Sequence, residues 1–229
     1  MARMIITIDG SAGSGKSTAA RGLAKRLHIA YLDTGAMYRA LGFQMIQKGV
    51  CPDDSQAMLE TARQTDLSVT CTSDGTRISI DGRDVTEDIR NISVSQAASC
   101  VAVVPPIRAI LVEKQRAIGA QLGSFVAEGR DQGTVVFLHA DLKFVIEAAP
   151  ELRARRRLEE LQSDNHNVTF NDVLADVRRR DERDSIQWAP LLEPGAAVVV
   201  DTTDLNLEQV IDLLEQHVRR TCGRPLSQA

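Results

Sequence analysis

The chain has 229 residues, 43% of them apolar, and 27 Lys and Arg against 31 Asp and Glu give a formal net charge of -4. That length and balance describe a globular, enzyme-sized chain of one domain, or one domain plus an insertion, and exclude a disordered polyelectrolyte. No apolar run approaches the ~20 residues of a bilayer span, and Met1-Ala2-Arg3 runs straight into strand-like sequence without a signal-peptide core, so a cytoplasmic protein with no membrane partner is expected.

Met4 to Ile8 reads as a short, fully apolar strand, broken by Asp9-Gly10-Ser11-Ala12-Gly13-Ser14-Gly15 before a helix from Lys16 to Leu27. A second strand, Ile29 to Leu32, ends at Asp33-Thr34-Gly35, where Thr34 is the expected cap of a helix running to about Lys48. Past Pro52 a polar helix precedes Leu67 to Thr72 and Arg77 to Ile80, joined across Ser73-Asp74-Gly75 as a hairpin. Pro105 or Pro106 opens a helix to about Gln121, and Ser124 to Ala127 is a buried strand stopping at Glu128-Gly129-Arg130-Asp131. Leu142 to Ala148 is a further strand, and Pro150 opens an Arg-rich helix to about Gln162. Thr169 with Asp172 forms a capping box for another helix, Ala197 to Val200 is the last strand and Leu207 to Arg219 the last helix, with a frayed tail from Cys222. Strands alternating with helices imply an α/β fold with a mostly parallel sheet and a small antiparallel insertion.

Gly10-Ser11-Ala12-Gly13-Ser14-Gly15-Lys16-Ser17 matches G-x-x-x-x-G-K-[ST] at every fixed position, between an apolar strand and a helix. The glycines let the backbone wrap so that its amides and the helix N-terminus face β- and γ-phosphates. Lys16 reaches the phosphate oxygens and the Ser17 hydroxyl is the expected Mg²⁺ ligand; the loop, continued through Thr18, is the expected ATP-binding segment. Guanine-specific switches carry N-K-x-D, which is absent here; motors need a Walker-B acid, for which Val198-Val199-Val200-Asp201 is a candidate lying where the last strand turns into a helix. A small kinase is the best remaining class.

Four cysteines, at 51, 71, 100 and 222, form no CxxC pair and accompany four histidines, so neither a zinc site nor a disulfide framework is indicated. Trp, Tyr and Phe total eight, too few for base-stacking platforms, and nucleic acid is not an expected partner. The 27 cations are 22 Arg and 5 Lys, which reflects either a coding bias or repeated two-pronged recognition of phosphate. Position decides between them. In a parallel sheet, ligands bind beyond the carboxyl ends of the strands, so the phosphate loop, Asp33-Thr34-Gly35 with Arg39, and Glu128-Gly129-Arg130-Asp131 should converge on one cleft. Arg153, Arg156 and Arg157 share a helix face, either a solvated surface or a lid over the phosphates. On the next helix Phe170, Val173, Leu174 and Val177 form an apolar stripe that continues into Arg180, Asp181 and Asp184, either a helix end entering a polar cleft or an Arg180–Asp184 surface pair.

These residues resemble the bacterial cytidylate kinase family over nearly the whole chain. The likeness is carried by Ile5-Thr7-Ile8-Asp9-Gly10, by Leu32-Asp33-Thr34-Gly35-Ala36-Met37-Tyr38-Arg39, by Gly129-Arg130-Asp131-Gln132-Gly133-Thr134-Val135-Val136-Phe137, by Arg180-Asp181 with Asp184, and by Ala189-Pro190-Leu191. The resemblance implies a single P-loop kinase domain over 1–229 with a five-stranded parallel core (1–50, 105–150 and 185–221), a monophosphate-binding insertion (about 51–104) and a helical lid (about 150–170). It implies MgATP as phosphoryl donor and CMP or dCMP as acceptor, in a monomer. Carried over by position, Thr34, Arg39 and Arg130 hold the acceptor phosphate, Ser99, Arg108 and Asp131 the cytosine, and Arg180 with Asp184 the sugar; Lys16, Arg130, Arg153 and Arg157 form the catalytic group. The base supports this separately: cytosine differs from uracil by an N4 amine, a donor that calls for a carboxylate, which makes Asp131 the natural discriminator. One departure is Gln187, where the family commonly has Arg three residues after the aspartate of Arg-Asp-x-x-Asp; Arg183 or another cation compensates, or the acceptor is held more weakly. Glu128 stands where other members have Asp. The alternatives are a different small-molecule kinase, for UMP or shikimate, and a non-catalytic triphosphate-binding switch.

Overall fold

The computed structural model describes residues 3–163 and 168–222, with positions 160, 162, 163, 183 and 222 described in their backbone only. The Arg183 side chain and the tail beyond Cys222 therefore lie outside the described residues. Five strands, β1 (Ile5–Gly10), β2 (Ala30–Asp33), β6 (Phe125–Glu128), β7 (Leu142–Glu147) and β8 (Val198–Asp201), form one sheet in the order β2-β6-β1-β7-β8 with every pair parallel. Strand β1 lies at its centre, which puts the phosphate loop in the middle of the carboxyl edge.

The pleat sends alternate side chains to opposite faces, and both faces are covered, as a parallel sheet requires. Phe125 enters a core shared with α2 (Thr34–Gln47), α4 (Ile92–Ala102) and α5 (Pro105–Gln121), while its neighbour Val126 enters the opposite core with α1 (Lys16–Leu27) and α8 (Leu207–Cys222). In β1, Ile6 and Ile8 join the second core, whereas Thr7 and Asp9 point the other way. A turn of π-helix, Gln132–Val136, covers them from that side.

Between α2 and α5 the chain forms α3 (Ser55–Gln64), the hairpin β3 (Leu67–Cys71) and β4 (Thr76–Ile80), a third strand β5 (Arg83–Asp84) and helix α4. The hairpin follows its turn signal; β5 and α4 were not legible in the sequence. This sheet covers the edge of β2: Tyr31 N–H donates to Thr72 O (3.0 Å), and the Thr76 hydroxyl donates to Tyr31 O (2.7 Å) while accepting from Asp33 N–H (2.9 Å). An exposed strand edge is thereby closed. Asp33 rather than Thr34 caps α2, its carboxylate accepting from Ala36 N–H, because the Thr34 hydroxyl is drawn to Glu128 O across the strand ends (2.7 Å).

Helices α6 (Pro150–Ser163) and α7 (Phe170–Asp184) pack through Ala154, Val173 and Val177, with Phe170 and Leu174 beside them, and Thr169 and Asp172 make the expected capping box. Among the described residues no single helix is long and apolar enough to cross a membrane.

Candidate active site

Gly10 ends β1 with φ +140°, and any Cβ there would overlap the Ile146 carbonyl of β7, so only glycine lets the chain leave the sheet here. The loop that follows turns into α1 at Gly15, whose φ is +87° and which offers no side-chain cap. The first amides of α1 are left without a side-chain acceptor, the arrangement that favours an anion. Residues Ala12 to Thr18 line a cavity of about 560 Å³ together with Arg153, Arg156, Arg157, Thr202, Leu205 and Leu207. Gly10 and Ser11 are not among the residues that line it; Ser11 O accepts from the Lys16 ammonium (3.3 Å).

Lys16 also meets Glu128 at 3.4 Å, with both side chains buried. Burial pulls the Lys16 ammonium below its ordinary range while Glu128 opposes the shift; burial pushes the Glu128 carboxyl up while Lys16 opposes it. The Tyr31 hydroxyl donates to the same carboxylate (3.3 Å).

A second cavity of about 520 Å³ shares Ala12, Gly13, Lys16, Ser17, Ser95 and Arg180 with the first and continues along the strand ends. Its wall holds Thr34, Arg39, Ser99, Arg108, Arg130, Asp131, Asp184 and Gln187, so the strand ends singled out in the sequence do converge on one cleft. Each arginine there is paired with a carboxylate: Arg39 with Asp33 (2.9 Å), Arg108 with Asp131 (2.6 Å), Arg130 with Asp184, and Arg180 with Asp176 (2.9 Å). The Arg180–Asp184 surface pair does not form; Asp184 is buried against Arg130. Gly129 keeps this corner tight, since a Cβ would stand 2.6 Å from Thr34 Oγ1. Asp131 is buried, which raises its carboxyl pKa against the lowering pull of Arg108, and its carbonyl accepts from Val135 and Val136 N–H to start the π-turn. The Ser99 hydroxyl donates back to Ser95 O at 3.2 Å.

Two expectations meet a different local geometry. Arg153 lines the first cavity, yet its guanidinium is buried: it donates to Ala148 O (2.9 Å) and Ala12 O (3.2 Å) and grips Asp181 with both prongs. Arg157 lines the same cavity, and Arg156 reaches Gly13 O at 3.5 Å. Asp201 is no Walker-B acid in form, because its carboxylate accepts from Thr203 N–H and hydroxyl within its own turn. Gln187 lines the second cavity, its carbonyl held by the Thr134 hydroxyl at 2.7 Å.

Several lining residues were missed in the sequence. Thr202, Leu205 and Leu207 follow β8, so the strand-end rule applied to the other strands would have found them. Tyr38, Ala98, Ala102 and Val103 give the second cavity its apolar wall, and burial pushes the Tyr38 phenol up to about 12, so it stays protonated.

The family profile described as "Cytidylate kinase" matches residues 6–220. The chain is 44% identical over 216 residues to the cytidylate kinase of Caldanaerobacter subterraneus subsp. tengcongensis, covering 94% of each chain. It is 41% identical over 222 residues to that of Corynebacterium glutamicum, covering 96% of each, and 43% identical over 218 residues to that of Mycolicibacterium paratuberculosis, covering 95% of this chain and 96% of the relative. A solved shikimate kinase from Bacteroides thetaiotaomicron shares the fold, with a TM-score of 0.54 at 10% identity over 95% of this chain and 99% of that one. The chain belongs to the cytidylate kinase family, enzymes that phosphorylate a nucleoside monophosphate.

Proposed function

We propose that the chain transfers the γ-phosphoryl group of ATP to CMP and dCMP, the donor lying along the phosphate loop and the acceptor against Arg39, Arg130 and Asp131. The observation that carries this is the continuity of the two cavities through Lys16, Ser17 and Arg180, with a buried carboxylate, Asp131, at the acceptor end. Such a cleft lets two anionic substrates meet end to end. A carboxylate beside the Arg108 fork, with the Ser99 hydroxyl turned from Ser95 O, offers an acceptor for N4 and donors for N3 and O2, the complement of cytosine and not of uracil.

The acceptor phosphate is mostly ionised at neutral pH, its second pKa being ~6, so the reaction needs no general base. Lys16 exchanges Glu128 for the β- and γ-oxygens, and Arg130 and Arg39 turn from Asp184 and Asp33 to the acceptor phosphate. In-line alignment and positive charge around the transferring group then supply the acceleration. The Ser17 hydroxyl, hydrogen-bonded to the Glu128 carboxylate, offers oxygen donors that suit a hard cation shared with the phosphates. A Mg²⁺ ion held there with ATP would supply positive charge to the transferring phosphates. Segment 51–104 acts as the monophosphate-binding insertion and α6 as the lid, with Arg157 facing the donor and Arg153 tying the helix to the phosphate loop through Ala12 O.

Measuring ADP release over a panel of CMP, dCMP, UMP, AMP and shikimate tests this. CMP and dCMP should turn over at least about a hundredfold more efficiently than the others; preference for any of the other three would overturn the assignment.

A further inference from the structure

Asp9 plays no part in the chemistry above, yet it is a fully buried carboxylate one residue before the phosphate loop. The pleat of β1 points it away from Ile6 and Ile8 and towards the π-turn that follows Asp131. There its Oδ1 accepts the amide hydrogen of Gln132 and its Oδ2 that of Gly133, each at 2.8 Å. The two amides belong to the residues directly after the proposed cytosine reader. Gln132 is itself buried, and its Nε2 lies 3.2 Å from Asp131 Oδ1, from Thr34 Oγ1 and from Gln115 Oε1. A π-turn is a rare backbone form, and the two amides that open this one find their acceptor more than 120 residues away in the sequence.

We infer that Asp9 is a positioning and specificity-determining residue: by holding the amides of Gln132 and Gly133, its carboxylate sets the angle at which Asp131 meets the acceptor base and ties that setting to the phosphate loop. The inference rests on Asp131 as the reader of cytosine. A carboxylate can satisfy both amides because it is acceptor-only on both oxygens. In Asp9→Asn one amide hydrogen meets an NH₂ group of the same polarity, so the turn must shift or leave a buried donor unpaired. The β1 backbone, paired to β6 and β7, is untouched by the exchange, so the donor loop keeps its place. Burial pushes the Asp9 carboxyl up to about 7 against the pull of the two amides, and assays at pH 8 keep it ionised.

The test is kcat/KM for CMP and for UMP at pH 8 in the wild-type protein, Asp9→Asn and Asp131→Asn. Asp9→Asn should lower the CMP-over-UMP ratio about tenfold or more and raise the KM for CMP, with the KM for ATP within about threefold of wild type. If Asp131→Asn abolishes the preference while Asp9→Asn leaves the ratio unchanged, the role of Asp9 is overturned and the base reading stands. If both variants keep the wild-type ratio, the base reading itself fails. Should Asp9→Asn not fold, hydrogen exchange in the wild-type protein decides: CMP should slow exchange at the Gln132 and Gly133 amides about tenfold more than a non-hydrolysable ATP analogue does. An equal response to the two ligands, or none to CMP, overturns the inference.

Discussion

Arg153 of α6 and Asp181 of α7 form a two-pronged ion pair, with N–O separations of 2.9 and 2.5 Å, on a guanidinium that also holds the Ala12 carbonyl of the phosphate loop. One side chain thus fastens α6 and α7 to the phosphate loop. Arg153 is buried while Asp181 is a quarter exposed, so losing this charge-assisted pair costs about 2–3 kcal/mol. Arg153→Ala should therefore lower the melting midpoint by roughly 4–12 °C as well as kcat. Arg157→Ala, in the same cavity but less buried, should lower kcat about tenfold, with the midpoint within about 2 °C and the acceptor KM within about twofold. Calorimetry with steady-state kinetics separates the two; an unchanged midpoint in Arg153→Ala, or an effect of Arg157→Ala on acceptor KM alone, contradicts these roles.

Lys16 sits between Ser11 O and Glu128, ready to pass from a protein carboxylate to phosphate oxygens. Lys16→Met should reduce kcat by about 10²–10³-fold, the size expected when one preorganised donor to developing charge is lost. A loss under about tenfold would show that Lys16 is not a phosphate ligand.

Gln187 lines the second cavity, and its carbonyl accepts from the Thr134 hydroxyl. Gln187→Arg should add a charge-assisted contact without moving the chain, lowering the KM for CMP about fivefold or more and leaving the KM for ATP unchanged. A higher KM for CMP would mean that the cations already present saturate the phosphate.

The Asp9 carboxyl rises from its ordinary 3.8 to about 7, because burial, with Asp131 and Glu128 nearby, outweighs the two amide bonds. Between about pH 4 and pH 7 the folded protein keeps a proton that the unfolded chain has released. Stability therefore falls as pH rises through that window. Urea titrations across the window should show this slope in the wild-type protein and a flatter one in Asp9→Asn, which has no proton to hold. Identical slopes would contradict the shifted titration.

Much of the site was legible because its chemistry is local. The phosphate loop, the helix it opens and the capping box of α7 are each encoded within a few residues, and the strand ends followed from one rule about parallel sheets. Most of what escaped depends on partners that no linear motif records. The π-turn at Gln132–Val136 exists because Asp9 takes its amides, and α2 is capped by Asp33 because Glu128 O claims the Thr34 hydroxyl. Val198–Asp201 has the composition of a Walker-B strand, but the Asp201 carboxylate turns to Thr203 next to it. The pairing of every acceptor-site arginine with a carboxylate likewise joins residues from separate elements, or one turn apart on a helix, that no linear motif records.

The central claim, that the Asp131 carboxylate selects cytosine by accepting from its N4 amine, is tested most directly by kcat/KM for CMP and UMP in the wild-type protein and Asp131→Asn. The wild-type protein should favour CMP by about 10²-fold or more, and Asp131→Asn should bring the ratio close to unity, since the new amide can serve either base. A preference for CMP that survives the substitution intact would contradict it.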